Sequence, residues 1–212
     1  MTQTRRATRG REAVKESAAP ASRANPFFVS SALPFEAPPF DQIVDADYQP
    51  AIEEGVRQHL VEVAAIAADP APPSFENTIA ALERSGPLLA RVLRVFAGVT
   101  AANTNDTLQA VQSEEAPRHA AHSDAIYLNA ALFGRVGAVY DARETTELSA
   151  EQRRLVERYH LEFVRSGARL GESDKARLRD LNQEESKLTT EFHNRLLAAT
   201  KAGGLLFDDR AD

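Results

Sequence analysis

Residues 173–201, SDKARLRDLNQEESKLTTEFHNRLLAATK, carry the longest uninterrupted helical pattern in the chain. Leu178, Leu181, Leu188, Phe192, Leu196 and Ala199 recur at steps of three, four or seven, which sets them on one stripe of a 3.6-residue helix. The opposite face is almost wholly charged or polar. Ser173 is the expected N-cap, Asp174 adds negative charge to the first turn, and Gly203 with Gly204 is expected to end the helix in a left-handed turn. At about 1.5 Å per residue the helix reaches roughly 40 Å, a length that normally joins parts of a larger body. From periodicity alone it reads as the last member of a bundle, apolar stripe inward and charged face to water.

Working outward, the 212 residues suffice for one large helical domain, and 43% hydrophobic content supports a real core. Aromatics are only 7%, Trp is absent, and Ala, Leu, Glu and Arg dominate, which argues against β-rich classes. The absence of Cys excludes disulfides, a thiolate nucleophile and a zinc ribbon, and fits a reducing compartment. The expected fold class is therefore all-α, an antiparallel bundle-like lobe of about seven helices. No fixed-period repeat points to a solenoid.

Charge is uneven. Residues 1–24 hold six basic residues against Glu12 and Glu16, a net +4, which leaves −10 on the remainder. An acidic body argues against nucleic-acid binding. The basic leader has no apolar h-region and reads as a disordered, solubilising segment; contact with an anionic partner is the alternative, and Glu12 and Glu16 weaken a likeness to an organelle transit peptide. No apolar run approaches a membrane span.

Residues 25–46 alternate Pro26, Pro34, Pro38 and Pro39 with Phe27, Phe28, Phe35 and Phe40, an extended strap that pins aromatics onto a body. Helices then follow over 47–204. Asp47 opens the first, whose inward stripe is Tyr48, Ile52, Val56, Leu60, Val63 and Ala67. Ser74 caps the second, in which Phe75, Ile79 and Leu82 share a face and which Gly86 ends. Pro87 starts a third with Leu88, Val92, Val95 or Phe96, and Val99. A fourth begins within residues 103–106, NTND, and Pro117 is expected to kink or interrupt it near Ala116. Helical spacing continues through 122–143, and Ser149 with Gln152 forms a capping box for the helix that Gly167 closes. Leu205–Phe207 is the only scrap of strand pattern.

Chemistry-bearing patterns are sparse. Glu157 and His160 make one Glu-x-x-His pair, but a di-iron bundle needs a second pair and two further carboxylates. His119 and His122 share a helix face without a third ligand, while His59 and His193 read as isolated residues facing solvent or a boundary. Glu114-Glu115, Glu184-Glu185 and Asp208-Asp209 read as solvated surface. His-Glu-x-x-His, Gly-x-Ser-x-Gly and a phosphate-binding glycine loop are all absent from the 212 residues. From residues alone the catalytic and metal sets are empty and the substrate-binding set is unknown.

Several stretches taken together carry a resemblance: NPFF (25–28), PSFENTIAALERSG (73–86), ANTND (102–106), HSDAIYLN (122–129), LVERYH (155–160) and the segment around LTTEF (188–192). Over roughly Asn25 to Asp212 the chain resembles the N-terminal part of bacterial peptidyl-dipeptidases, the dipeptidyl carboxypeptidases of the thimet oligopeptidase-like zinc metallopeptidases. The resemblance implies a cytoplasmic, helical, bilobed enzyme whose channel admits short peptides and which removes C-terminal dipeptides. Its zinc is held by two His of a His-Glu-x-x-His helix and a downstream Glu, and the motif Glu acts as general base.

No residue of this chain matches those ligands, so the chain itself carries no cofactor and is expected to be inactive alone, with zinc and the catalytic half elsewhere. Residues 205–212 then read as the start of a connection. Glu185, Thr189 and His193 are candidates to face a channel. Apolar surface on the strap and the long helix should stay uncovered and promote self-association. Two alternatives are a stand-alone, non-catalytic peptide- or protein-binding module and a bundle metalloprotein using Glu157 and His160.

Overall fold

The computed structural model describes residues 23–203. The expectations for the leader, Gly204, the 205–207 strand scrap, Asp208-Asp209 and the connection fall outside the described residues, apart from Arg23 and Ala24. The described residues are all-α, as expected, with no strand among them. The order is α1 Tyr48–Ala68, a wide π-type turn Phe75–Ala80 continuing into α2 Ala81–Arg84, α3 Pro87–Asn103, α4 Asp106–Tyr127, α5 Ala130–Ala142, α6 Ala150–Arg165 and α7 Glu172–Ala202.

Side-chain caps set most of the starts. The Ser74 hydroxyl accepts from the Asn77 N–H at 3.2 Å while the Asn77 carbonyl accepts from the Ser74 N–H at 2.8 Å. Asn105 and Asn129 accept from the N–H groups of Leu108 and Leu132 at 2.9 and 3.0 Å, and Ser149 and Gln152 close the expected capping box. Asp47 stands at the N-cap position of α1, as expected, but its carboxylate caps no α1 N–H: it accepts from the Val44 N–H at 2.8 Å and pairs with Arg23, closing a preceding 3-10 turn, Asp45–Asp47.

Two cores form, and α1 runs through both. Its first half packs with α3, the start of α4 and the strap residue Phe27 around Tyr48, Ile52, Val92, Phe96 and Leu108. Its second half packs with α2, α5 and α6 around Val63, Ile79, Leu132, Val136, Val156 and Phe163. Of the strap's four phenylalanines only Phe27 is buried, and Ile43 packs beside it on the first core. Phe28, Phe35 and Phe40 are exposed, and the Phe27 carbonyl accepts from Arg91 on α3 at 2.5 Å.

Three further expectations are corrected. α4, against which α1, α5 and α7 pack, continues as one helix through Pro117, so the expected interruption does not occur. The helical spacing of 122–143 is interrupted at Leu128–Asn129, where Asn129 starts α5 with a cap of its own. The long helix begins at Glu172, one residue before its expected cap, with Gly171 at the N-cap position and Ser173 already inside the first turn. Gly203 at its C-cap has φ −90°, and Gly204, the other half of the expected left-handed end, lies outside the described residues.

The largest correction concerns the long helix. α7 adds no apolar side chain to either core, and its only buried residue is Lys175. Leu181, Leu188, Phe192 and Leu196 are 52, 58, 62 and 53% exposed. The helix lies on α4 through a polar face in which Asn182 donates to Asp124 at 2.7 Å and Asn194 donates to the Ser113 hydroxyl at 3.2 Å. At 100° per residue that face sits roughly 130° around the helix from the apolar stripe, so the stripe points away from the lobe.

Candidate functional site

The densest polar constellation joins α1, α4 and the α2–α3 turn. His122 Nε2 on α4 lies 3.1 Å from His59 Nδ1 on α1, and His59 Nε2 lies 3.0 Å from the Ser85 hydroxyl. Ser85 donates its own proton to the Leu82 carbonyl at 2.7 Å, so its oxygen accepts from His59 Nε2–H. That leaves His59 Nδ1 bare, and it accepts from His122 Nε2–H. The chain of donors runs one way, from His122 through His59 and Ser85 to the Leu82 carbonyl, with both rings neutral. The correction to His59 is thus a half-buried bridging residue where an isolated one was expected.

Electrostatics agree with neutrality. Burial, then the neighbouring His59 and His119, push the pKa of His122 down to about 4. Burial lowers His59 as well, against the opposing pull of Glu62. Glu62 itself accepts from the Gly86 N–H at 2.7 Å. Gly86 has φ +67°, and a Cβ there would sit 2.7 Å from the His59 ring, so the turn tolerates no side chain.

Beside His122 an open groove of about 360 Å³ between α1 and α4 is lined by Glu53, Val56, Leu60, Glu115, Arg118 and Ala121. Arg118 already engages three carboxylates, Glu53 at 2.7 Å, Glu115 at 2.6 Å and Glu114 at 2.9 Å. Glu115 is buried, which raises its carboxyl pKa even against Arg118. Glu114-Glu115 therefore holds Arg118 from within α4 while Arg118 bridges to Glu53 on α1, and the pair is not wholly solvated surface.

The other sequence candidates separate. His160 stacks on Tyr140 with ring centroids 3.9 Å apart, while Glu157 pairs with Arg154 at 3.1 Å, so the Glu-x-x-His residues serve packing and surface charge. His119 stacks beside His122 at 5.9 Å. It also lines a cavity of about 570 Å³ between α3, α4 and α7 with Phe96, Thr100, His193, Asn194 and Leu197. Of the channel-facing candidates, Glu185, Thr189 and His193 are all exposed, and Thr189 donates to Glu185 at 2.9 Å. Glu184-Glu185 lies on the exposed surface of α7.

Among the described residues, no three His, Asp or Glu side chains converge into a metal-binding group. His59 and His122 spend their facing nitrogens on each other and lack a third donor, so the described residues do not fit a catalytic zinc. No helix of the described residues is long and apolar enough to cross a membrane.

Three polar residues escaped the sequence reading. Arg135 is buried among the apolar residues of α5 and donates to the Asp69 and Ala71 carbonyls at 2.7 and 3.1 Å, tying the α1–α2 loop down. A charge between Leu132 and Val136 was its signal. Asp124 and Asn182 pair across α4 and α7, 58 residues apart, and no spacing rule reveals them.

Fold and site together define a helical lobe whose described residues bring together a structural histidine relay and a polar helix interface, with an unpartnered apolar helix face. Comparison with known proteins adds the relationship. The chain is 52% identical over 185 residues to the dipeptidyl carboxypeptidase of Salmonella typhimurium, matching 87% of this chain and 27% of that protein. It is 51% identical over 187 residues to the dipeptidyl carboxypeptidase of Escherichia coli, 88% of this chain and 28% of the relative. Oligopeptidase A of Escherichia coli is 22% identical over 179 residues. The resemblance drawn from residues is thereby borne out, and the chain spans about a quarter of the length of the curated relatives it matches. No family model matches the chain.

Proposed function

We propose that the chain is the N-terminal helical, channel-wall part of a zinc metallopeptidase that releases C-terminal dipeptides from short peptides. The observation that carries this is the 52% identity over 87% of the chain to a dipeptidyl carboxypeptidase. A helical lobe that shows no metal-binding group among its described residues supports assigning it to the wall of a channel, with zinc and its general base supplied elsewhere in the polypeptide. The lobe's own contribution is positional. The Arg118–Glu53 bridge and the relay from His122 to Ser85 fix α4 against α1, which holds α7 at a set distance from α1.

In this reading the substrates are short peptides, the protein is cytoplasmic, neither nucleic acid nor membrane is a partner, and residues 1–212 alone are inactive. The test is to produce the polypeptide encoded by the complete reading frame, measure bound zinc, and follow dipeptide release from an amine-blocked peptide. Chelator-sensitive release of C-terminal dipeptides is expected. Release of single amino acids, or of no product, overturns the reading.

A further inference from the structure

We infer that the outward stripe of α7, Leu181, Leu188, Phe192 and Leu196, is a docking seam for an amphipathic helix that the same polypeptide carries beyond residue 212. The inference rests on the proposed function in one respect, that this chain is part of a longer protein like its relatives.

Three observations point to that occupant. The rotation of α7 is fixed by its polar contacts: Asn182 with Asp124 and Asn194 with Ser113 bind opposite ends of the same face to α4. Asp124 is 7% exposed, so turning the helix to bury its stripe would strand a buried carboxylate. The stripe is therefore held outward by design of the inner face. It extends over about 22 Å at 1.5 Å per residue, with four large apolar side chains each more than half exposed. A row of that length and spacing fits the i, i+4, i+7 anchors of a second helix lying along it.

Where the chain leads identifies what lies there. The relatives are nearly four times as long as the matched segment, so most of their length has no counterpart here. α7 is the last described helix, and the next residues of the polypeptide leave from its C-terminal end. Residues 203–212 separate α7 from that helix, and ten residues can span roughly 33 Å, more than the length of the stripe. A helix that follows them can therefore turn back and lie along the stripe.

Hydroxyl-radical footprinting tests the seam on two samples, residues 1–212 and the polypeptide of the complete reading frame. Phe192 and Leu188 should be oxidised severalfold more slowly in the longer polypeptide, while buried Phe163 stays slow in both. The double substitution Leu188→Lys, Phe192→Glu should leave the helical circular dichroism of 1–212 unchanged, yet make the longer polypeptide release the lobe to limited proteolysis.

Equal Phe192 and Leu188 oxidation in the two samples overturns the seam, as does a reading frame that stops at Asp212. Slowing that appears in 1–212 itself as its concentration rises assigns the face to a second copy and overturns it too. Dipeptide release on the same preparation separates the two proposals. Release with equal footprints removes the seam and keeps the peptidase reading; a protected stripe without release does the reverse.

Discussion

His122 Nε2 donates to His59 Nδ1 across 3.1 Å, joining two helices whose contributing residues lie 63 positions apart. Because the pair is held neutral, protonating it is opposed by burial and by the neighbouring rings. The ordinary histidine pKa of about 6.5 applies to the unfolded chain, and the folded value for His122 is about 4. Between these values the unfolded state binds more protons, so this contribution to stability is intact above pH 6.5 and is lost as pH falls toward 4. The loss amounts to roughly 2–3 kcal/mol for His122. Urea unfolding of the native chain and of His122→Gln at pH 7 and pH 4.5 should show a smaller pH dependence in the variant; equal slopes would refute the neutral relay.

Gly86 is expected to resist substitution. Gly86→Ala meets both a left-handed backbone and the His59 ring 2.7 Å away. A cost of at least about 1–2 kcal/mol should appear as a lower urea midpoint at unchanged m.

Two phenylalanines of the strap should respond with opposite sign. Phe27 is 2% exposed and packs on Tyr48 with centroids 5.5 Å apart, so Phe27→Ala is expected to cost about 3–5 kcal/mol. Phe35 is fully exposed at φ 59°, so Phe35→Gly relieves a left-handed strain and should stabilise by up to about 1 kcal/mol. Thermal melts of both variants decide it.

These residues also mark how far the sequence was legible. Helix starts were readable where a side-chain cap followed a clear break in the helical spacing, as at Ser74, Asn105 and Ser149. Asn129 offered the same signal, but Ile126 and Leu132 fit a continuous helix and masked the break. Pro117 does not end α4, because its local cost of about 3 kcal/mol is offset by the packing of α1, α5 and α7 on that helix. Periodicity found the apolar stripe of α7 correctly but is silent on what a stripe faces. The inner face was set by Asn182 and Asn194, whose partners are distant in sequence. The same distance hid the histidine relay.

The stripe itself makes a prediction about residues 1–212. Leu188→Lys and Phe192→Glu remove exposed apolar surface, so each should change stability by no more than about 0.5 kcal/mol while reducing binding of a hydrophobic dye. A large loss of stability would mean that these side chains pack inside the lobe.

The central claim is that this chain is the non-catalytic wall of a peptidyl-dipeptidase. Its most direct test is to incubate residues 1–212 with zinc and an amine-blocked tripeptide and to measure dipeptide release with and without chelator. No chelator-sensitive release is expected, because the described residues bring no three metal-binding side chains together. Robust zinc-dependent release from residues 1–212 alone would contradict it.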